Sequence, residues 1–377
     1  MKKIILPVLV SLVLGAGCSS AHNIIFGKKT PLEKYEEVLK DDGLHNTPEG
    51  QQWLAVSKTA LQYPVTIQMP YRHNGLFNVQ KPQALGLRFS ATQGERLSFR
   101  LTKADTAGSF VLYAELYELQ AGGETKLLQA IDTNVADFSY DVPQTGTYVL
   151  KLQPQLFRAG RYSLSVSTGP SLLFPVASKK AYIGSVWGDA RDGGKRPHEG
   201  VDIFAAKHTP AVAAANGVIV GVREGGIGGK TVWLRPAGQN VNLYYAHLDE
   251  QLVQEGQIVK QGDTLGLVGN TGNAKYTPSH LHFGVYSTGG AINPFPFVNR
   301  EIKTAAAPQK KLPVQLRLLK NFTSSDFVLK QNTLLLPLAV SGTFYLAETP
   351  DGRTIELPFA VVQEVSPQGK KTSGVAA

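Results

Sequence analysis

Five side chains between residues 198 and 282 have the types and spacing for metal-assisted hydrolysis. His198 and Asp202 stand four apart in RPHEGVD, His247 lies in YYAHL, and His280 and His282 are separated by one residue in PSHLHFG. Neutral imidazoles and a carboxylate are the ordinary non-thiolate ligands of zinc. A catalytic zinc takes about three of them and keeps one position for water. The metal lowers the pKa of that water and polarises a bound carbonyl. Two further histidines are then free to handle protons and the developing oxyanion. Three ligands and two assistants use up the set.

Particular elements must bring these residues together. In a strand, residues i and i+2 face the same side roughly 7 Å apart. His280 and His282 therefore share a face, yet neither ring needs the other. The spacing suits two rings that touch different atoms of one reaction centre; the plainer reading is a pair of exposed histidines, because short motifs match by accident. On a straight strand His198 and Asp202 would lie roughly 13 Å apart, too far for one ion. Gly200 between them permits a bend that brings both to one metal, while Val201 to Phe204 reads as a strand. Glu199 neighbours His198 and would face away from it, so it is not a candidate base. His208 fits no motif and reads as a surface residue.

Taken in order, HxxxD, the isolated histidine of YAHL and HLHFGV resemble the lysostaphin/LytM-type zinc endopeptidases of the bacterial wall. The frame agrees: GSVWG at 184–188, ANGVI at 215–219, VKQGD at 259–263 and GNTG at 269–272. The resemblance covers residues 171–300. It implies an antiparallel β-sheet peptidase domain in which His198, Asp202 and His282 hold Zn2+ and His247 and His280 are catalytic. One of that pair would activate water as base; the other would orient it or steady the tetrahedral intermediate. The sequence does not divide these roles between them. The implied function is zinc-dependent hydrolysis of peptide cross-links in peptidoglycan by attack of a zinc-activated water. D,D cross-links and glycine bridges both stay open as the bond cut. Some relatives lose ligands and regulate other hydrolases, so a non-catalytic envelope scaffold or activator is the alternative reading; here all five residues are present. VKQGDTLGLVG is also similar to the hairpins of lipoyl and biotinyl carriers, but the turn Gly269-Asn270-Thr271-Gly272 lacks the lysine a carrier needs.

Composition supports several domains. A chain of 377 residues favours two or three. With 38 Gly, 22 Pro and 2 Met, turns are many, which fits a mainly β, multi-domain protein. The net charge of +9 favours an anionic partner such as a wall polymer. No Lys/Arg stripe with interleaved aromatics is present, which argues against nucleic acid. Lys2, Lys3 and the apolar run Ile4 to Leu14 read as an export signal, too short to span a membrane. Small residues then lead into Cys18, the only cysteine. This resembles a bacterial lipoprotein signal over 1–17, with Cys18 lipidated and the protein anchored in the cell envelope, facing the periplasm. Ser19 resembles the sorting signal for the outer membrane. A single cysteine leaves no structural disulfide.

The remaining segments divide by pattern. Residues 18–64 read as an N-terminal helical segment, with TPLE at 30–33 as a capping box and a second start at Thr47-Pro48-Glu49. Residues 65–170 read as a β-sandwich, and the stretch from Thr145 to Leu164 resembles a bacterial pre-peptidase-type, jelly-roll-like accessory domain. Its His73 reads as a surface residue. Residues 301–312 form a linker, 313–366 an SH3-like barrel suited to protein partners, and 367–377 a tail. The sequence leaves open whether the hairpin at 30–62 shields the histidines.

Overall fold

The structure, a computed structural model, describes residues 29–104, 110–324 and 327–365. The leader, Cys18 and the tail lie outside the described residues. Two helices come first, α1 (Pro31–Asp41) and α2 (Pro48–Gln62). Thr30 caps α1: its hydroxyl accepts from the Glu33 N–H, and the Glu33 carboxylate accepts from the Thr30 N–H. Leu32, Leu39 and Trp53 of this hairpin are buried against Tyr113 and Leu156 of the sandwich. Trp53 Nε1 donates to the Pro154 carbonyl at 2.8 Å. A buried ion pair, Lys151 Nζ to Glu115 at 2.9 Å, lies at the same contact, where Lys151 also bonds Ser57 and Glu115 accepts from Thr30. The hairpin thus spends its apolar face on the sandwich, away from the five site residues.

Eight strands build the sandwich: β1 (Tyr71–Phe77), β2 (Leu85–Ala91), β3 (Glu95–Lys103), β4 (Leu112–Leu119), β5 (Thr125–Ala130), β6 (Asp137–Asp141), β7 (Gly146–Pro154) and β8 (Gly160–Pro170). One sheet runs β2-β7-β4-β5 and the other β1-β8-β3-β6. Alternate residues such as Leu85, Leu87 and Phe89 meet Leu97, Phe99, Leu164 and Val166 in a single core.

His73 corrects the reading of a surface residue. It is fully buried on β1, with Tyr71 and Tyr162 edge-on at 5.4 and 5.2 Å. The parity of β1 explains this: Tyr71, His73 and Phe77 alternate inward, and an imidazole is small enough for the gap between two tyrosines. Nδ1 lies 3.1 Å from the Tyr71 hydroxyl, and Nε2 has no partner among the described residues. Burial pushes His73 down to about 3. The folded chain therefore resists a proton that the unfolded chain accepts near pH 6.5. Stability is lost as pH falls from that value toward the folded one. Urea unfolding of the wild-type chain should lose roughly 1–2 kcal/mol more than His73→Leu between pH 6.5 and pH 5. Identical losses in the two proteins would contradict this account of His73.

The next unit contains β9 (Tyr182–Ser185), β10 (Val201–Phe204), β11 (Gly217–Gly225), β12 (Gly229–Pro236), β13 (Asn242–Gln251), β14 (Thr264–Val268) and β15 (His280–Ser287). Its main sheet is ordered β9-β10-β15-β13-β12-β11, with antiparallel neighbours throughout. Val201, Ile203, Leu243, Tyr245, Leu281, Phe283 and Val285 point to one core. Strict alternation sends Asp202, His280 and His282 to the opposite face. This unit meets the sandwich where the chain enters and leaves it. Leu172 N–H donates to the Phe297 carbonyl at 2.9 Å, and Thr168 bridges Lys303. Gly94, with φ +92°, gives Phe297 its place: a Cβ there would lie 2.3 Å from the ring.

The chain ends with β16 (Gln315–Leu318), β17 (Leu334–Val340), β18 (Phe344–Glu348), β19 (Thr354–Pro358) and β20 (Val362–Val365). They enclose a small core of Leu316, Leu335, Tyr345 and Leu357. Strand β17 also pairs with β1 through Asn74↔Val340 and Gly75↔Ala339, which extends the second sandwich sheet to nine strands. The protein is mainly β.

Candidate metal centre

Pairing register places the first three residues. On β10 and β15, Asp202 stands directly opposite His282, and Phe204 opposite His280. On the other side of β15, His282 faces Ala246 of β13, whose small side chain leaves the imidazole room. His198 lies just before β10, after a short hairpin in which Ala190 and Arg191 pair with Pro197 and Arg196. The backbone between His198 and Asp202 is bent, as expected, but Gly200 serves a different purpose. Its φ is not left-handed; instead a Cβ would lie 2.4 Å from His282 Cε1. Glycine at 200 makes room for the ring rather than for the bend.

The donor atoms converge. His198 Nε2, Asp202 Oδ1 and His282 Nδ1 form a triangle with three sides of 3.0 Å. Atoms so spaced lie about 1.7 Å from the triangle's centre, inside the ~2.0–2.2 Å of zinc–nitrogen and zinc–oxygen bonds, so one ion just off their plane reaches all three. His198 Nδ1 lies 2.9 Å from the Val186 carbonyl oxygen, which can only accept. The proton therefore sits on Nδ1, and Nε2 offers its lone pair to the triangle. Burial opposes the Asp202 charge, but the hydrogen bonds with His198 and His282 outweigh it and hold the carboxyl well below its usual range. Burial lowers His282 against its usual value, and the bond to Asp202 works the other way. The donor set fits zinc.

His247 and His280 stand beside the triangle rather than in it. The His247 ring centroid is 5.1 Å from that of His280 and 5.8 Å from that of His282. His280 shares the sheet face of His282 by simple alternation. His247 does not. Tyr245 faces the core, so in a regular strand His247 would face it too. Instead the β12–β13 pairing slips between Tyr245 and Leu248. At this bulge His247 takes φ 63°, a left-handed conformation uncommon for a residue other than glycine. Its N–H donates to the Gly228 carbonyl at 2.8 Å, which steadies the turned backbone. The extra residue re-aims the ring across the sheet toward His280 and His282. In both histidines Nδ1 donates to a backbone carbonyl, that of Thr271 at 2.9 Å for His247 and that of Pro278 at 2.8 Å for His280. Each Nε2 is left to accept a proton. Burial pushes His247 down to about 4, helped by the neighbouring His282 and His280.

All five sequence candidates thus meet in one place. Glu199 is exposed, and His208 is exposed on Asp249 at 2.8 Å. Residues 196–294 match the family model for peptidase family M23. This segment resembles M23 peptidase domains. It is similar to an uncharacterized metalloprotease of Haemophilus influenzae, with 41% identity over 100 residues, 26% of this chain and 20% of the relative. It is also similar to an L-Ala–D-Glu endopeptidase of Bacillus subtilis, with 35% identity over 155 residues, 38% of this chain and 46% of the relative. The matched stretches therefore span less than half of each curated relative. Among solved structures, the catalytic domain of the antimicrobial peptidase lysostaphin from Staphylococcus simulans shares 32% identity and covers 31% of this chain and 90% of that one, with a TM-score of 0.28.

Sequence reasoning missed the groups around the candidate metal centre. Arg191 Nη2 lies 2.7 Å from Asp202 Oδ2. The carbonyls of Val186, Thr271 and Pro278 fix the three imidazoles. A carbonyl leaves no trace in side-chain identity. Arg191 stands three residues beyond GSVWG, a stretch already singled out, and its charge so near a ligand motif was the available signal.

Proposed function

We propose that this protein is a zinc-dependent endopeptidase that hydrolyses peptide cross-links of peptidoglycan. The observation that carries the reading is the triangle of donor atoms with two histidines beside it, each with Nδ1 held by a backbone carbonyl. The family match and the named activities of its relatives support it. His198, Asp202 and His282 would hold the metal. When bound, zinc supplies Lewis acidity toward a carbonyl and toward water. One of His247 and His280 would accept the proton of the attacking water at Nε2 and return it to the departing amine; the other would orient that water or steady the tetrahedral intermediate. Their Nδ1–H bonds to fixed carbonyls orient both rings for this without a reorganisation at the moment of reaction.

The address belongs to the same proposal. Lipidation of Cys18 would tether the chain to the outer membrane facing the periplasm, within reach of the wall. The basic balance of +9 favours contact with an anionic polymer. The C-terminal strands would take protein partners.

The test uses the full chain, purified in detergent, on isolated peptidoglycan. Soluble fragments should be released, a zinc chelator should stop the release, and added zinc should restore it. Release that persists in chelator would remove zinc from the account. No release from zinc-loaded, folded protein would favour a scaffold or activator.

A further inference from the structure

Asp202 has two carboxylate oxygens, and the fold treats them differently. Oδ1 sits 3.0 Å from both His198 Nε2 and His282 Nδ1. Oδ2 accepts from Arg191 Nη2 at 2.7 Å. We propose that Arg191 is a positioning residue, whose guanidinium holds Oδ2 and so confines Asp202 to binding the metal through Oδ1 alone. The inference rests on the metal-site reading above.

The guanidinium is itself held. Arg191 Nη2 also donates to Ser185 Oγ at 2.6 Å. Ser185 stands beside Asp202 in the register of β9 and β10, so the sheet brings the two acceptors together. The Ser185 hydroxyl donates in turn to Asp189 Oδ2 at 2.7 Å, and that carboxylate accepts the Val186 N–H at 2.9 Å. The carbonyl of the same Val186 takes the His198 Nδ1 proton. One turn, Ser185 to Asp189, therefore orients two of the three ligands: His198 directly, and Asp202 through Arg191. The Arg191 and Asp202 side chains are 26% and 12% exposed, so the pair is screened less than a surface ion pair. Charge-assisted bonds of this kind are shorter and stronger than neutral ones.

The consequence is a defined denticity. A carboxylate freed from Arg191 can turn and offer both oxygens, or leave. Lysine is not equivalent: both bonds come from Nη2, whose two hydrogens are fixed in the guanidinium plane, whereas an ammonium is a freely turning and more strongly hydrated point charge.

The experiment measures zinc affinity by competition with a chromophoric chelator, using full-length wild type, R191Q and R191K. Outer partners of metal ligands are worth about 10- to 100-fold in affinity, so R191Q should bind zinc that much more weakly. R191K should fall between the two. With cobalt in place of zinc, the visible spectrum of R191Q should weaken and shift as a second oxygen joins the ion, whereas thermal unfolding of the metal-free proteins should agree. A merely structural Arg191 would move the unfolding and leave the spectrum alone, and that pattern overturns the inference. If R191Q does not fold, S185A removes the hydroxyl that steadies the guanidinium and that also bonds Asp189. A several-fold loss of affinity with the same change in the cobalt spectrum supports the inference, and an unchanged spectrum overturns it. A wild-type chain that binds no zinc overturns the metal-site reading and this inference with it. A zinc-binding wild type matched within twofold by R191Q overturns this inference alone.

Discussion

Replacing His198, Asp202 or His282 with alanine should strip the protein of zinc and of peptidoglycan hydrolysis together. Each contributes one of three donor atoms spaced 3.0 Å apart, and each is held by its own backbone or register partner. Structural zinc sites bind with an apparent ~10–16 kcal/mol over about four ligands, so one ligand is worth roughly 3 kcal/mol, on the order of a hundredfold or more in affinity. Metal analysis after dialysis should find about one zinc per wild-type chain and almost none in the variants. The sandwich and C-terminal cores lie elsewhere, so the variants should still fold. Full zinc content in Asp202→Ala would exclude that carboxylate as a ligand.

His247 and His280 should behave in the opposite way. Their rings stand beside the triangle and do not belong to it, so His280→Ala should keep its zinc while the turnover rate falls by about 10²- to 10⁴-fold, the usual worth of a positioned acid or base. For His247 the better variant is asparagine. Its backbone sits at φ 63°, a region asparagine tolerates and alanine resists. His247→Asn should therefore retain both the bulge and the metal and lose the proton acceptor. The division of labour then shows in the residual rates: the base costs more to remove than its partner. Loss of zinc in both variants would mean that these imidazoles are ligands and that the assignment of roles is wrong.

Much of this site was legible in the sequence because strand parity is a local rule. Val201 and Ile203 are apolar and Asp202 is not; Leu281 and Phe283 are apolar and His280 and His282 are not. That alternation alone places three of the five residues on one face. The remainder depends on pairings that no local pattern records. The bulge that turns His247 arises from a slip between β12 and β13, not from the YAHL residues themselves. The role of Gly200 depends on which ring lies across the sheet from it. Arg191 acts on Asp202 through a hairpin whose two sides are short and irregular. The pairing of β1 with β17 joins residues roughly 265 positions apart, as Asn74 and Val340 show, and contacts at that range carry no periodic signal. The mainly β class and the candidate residues were read from pattern and spacing, and their roles from the family resemblance; the supporting shell was in neither, because it consists largely of backbone carbonyls and register.

The most direct measurement of the central claim is mass spectrometry of the products when the full chain acts on purified peptidoglycan, with and without a zinc chelator. The account predicts loss of cross-linked dimers, one newly exposed amino terminus and carboxylate at a defined peptide bond, and no such products in chelator. Intact dimers from protein shown to be folded and zinc-loaded would contradict it.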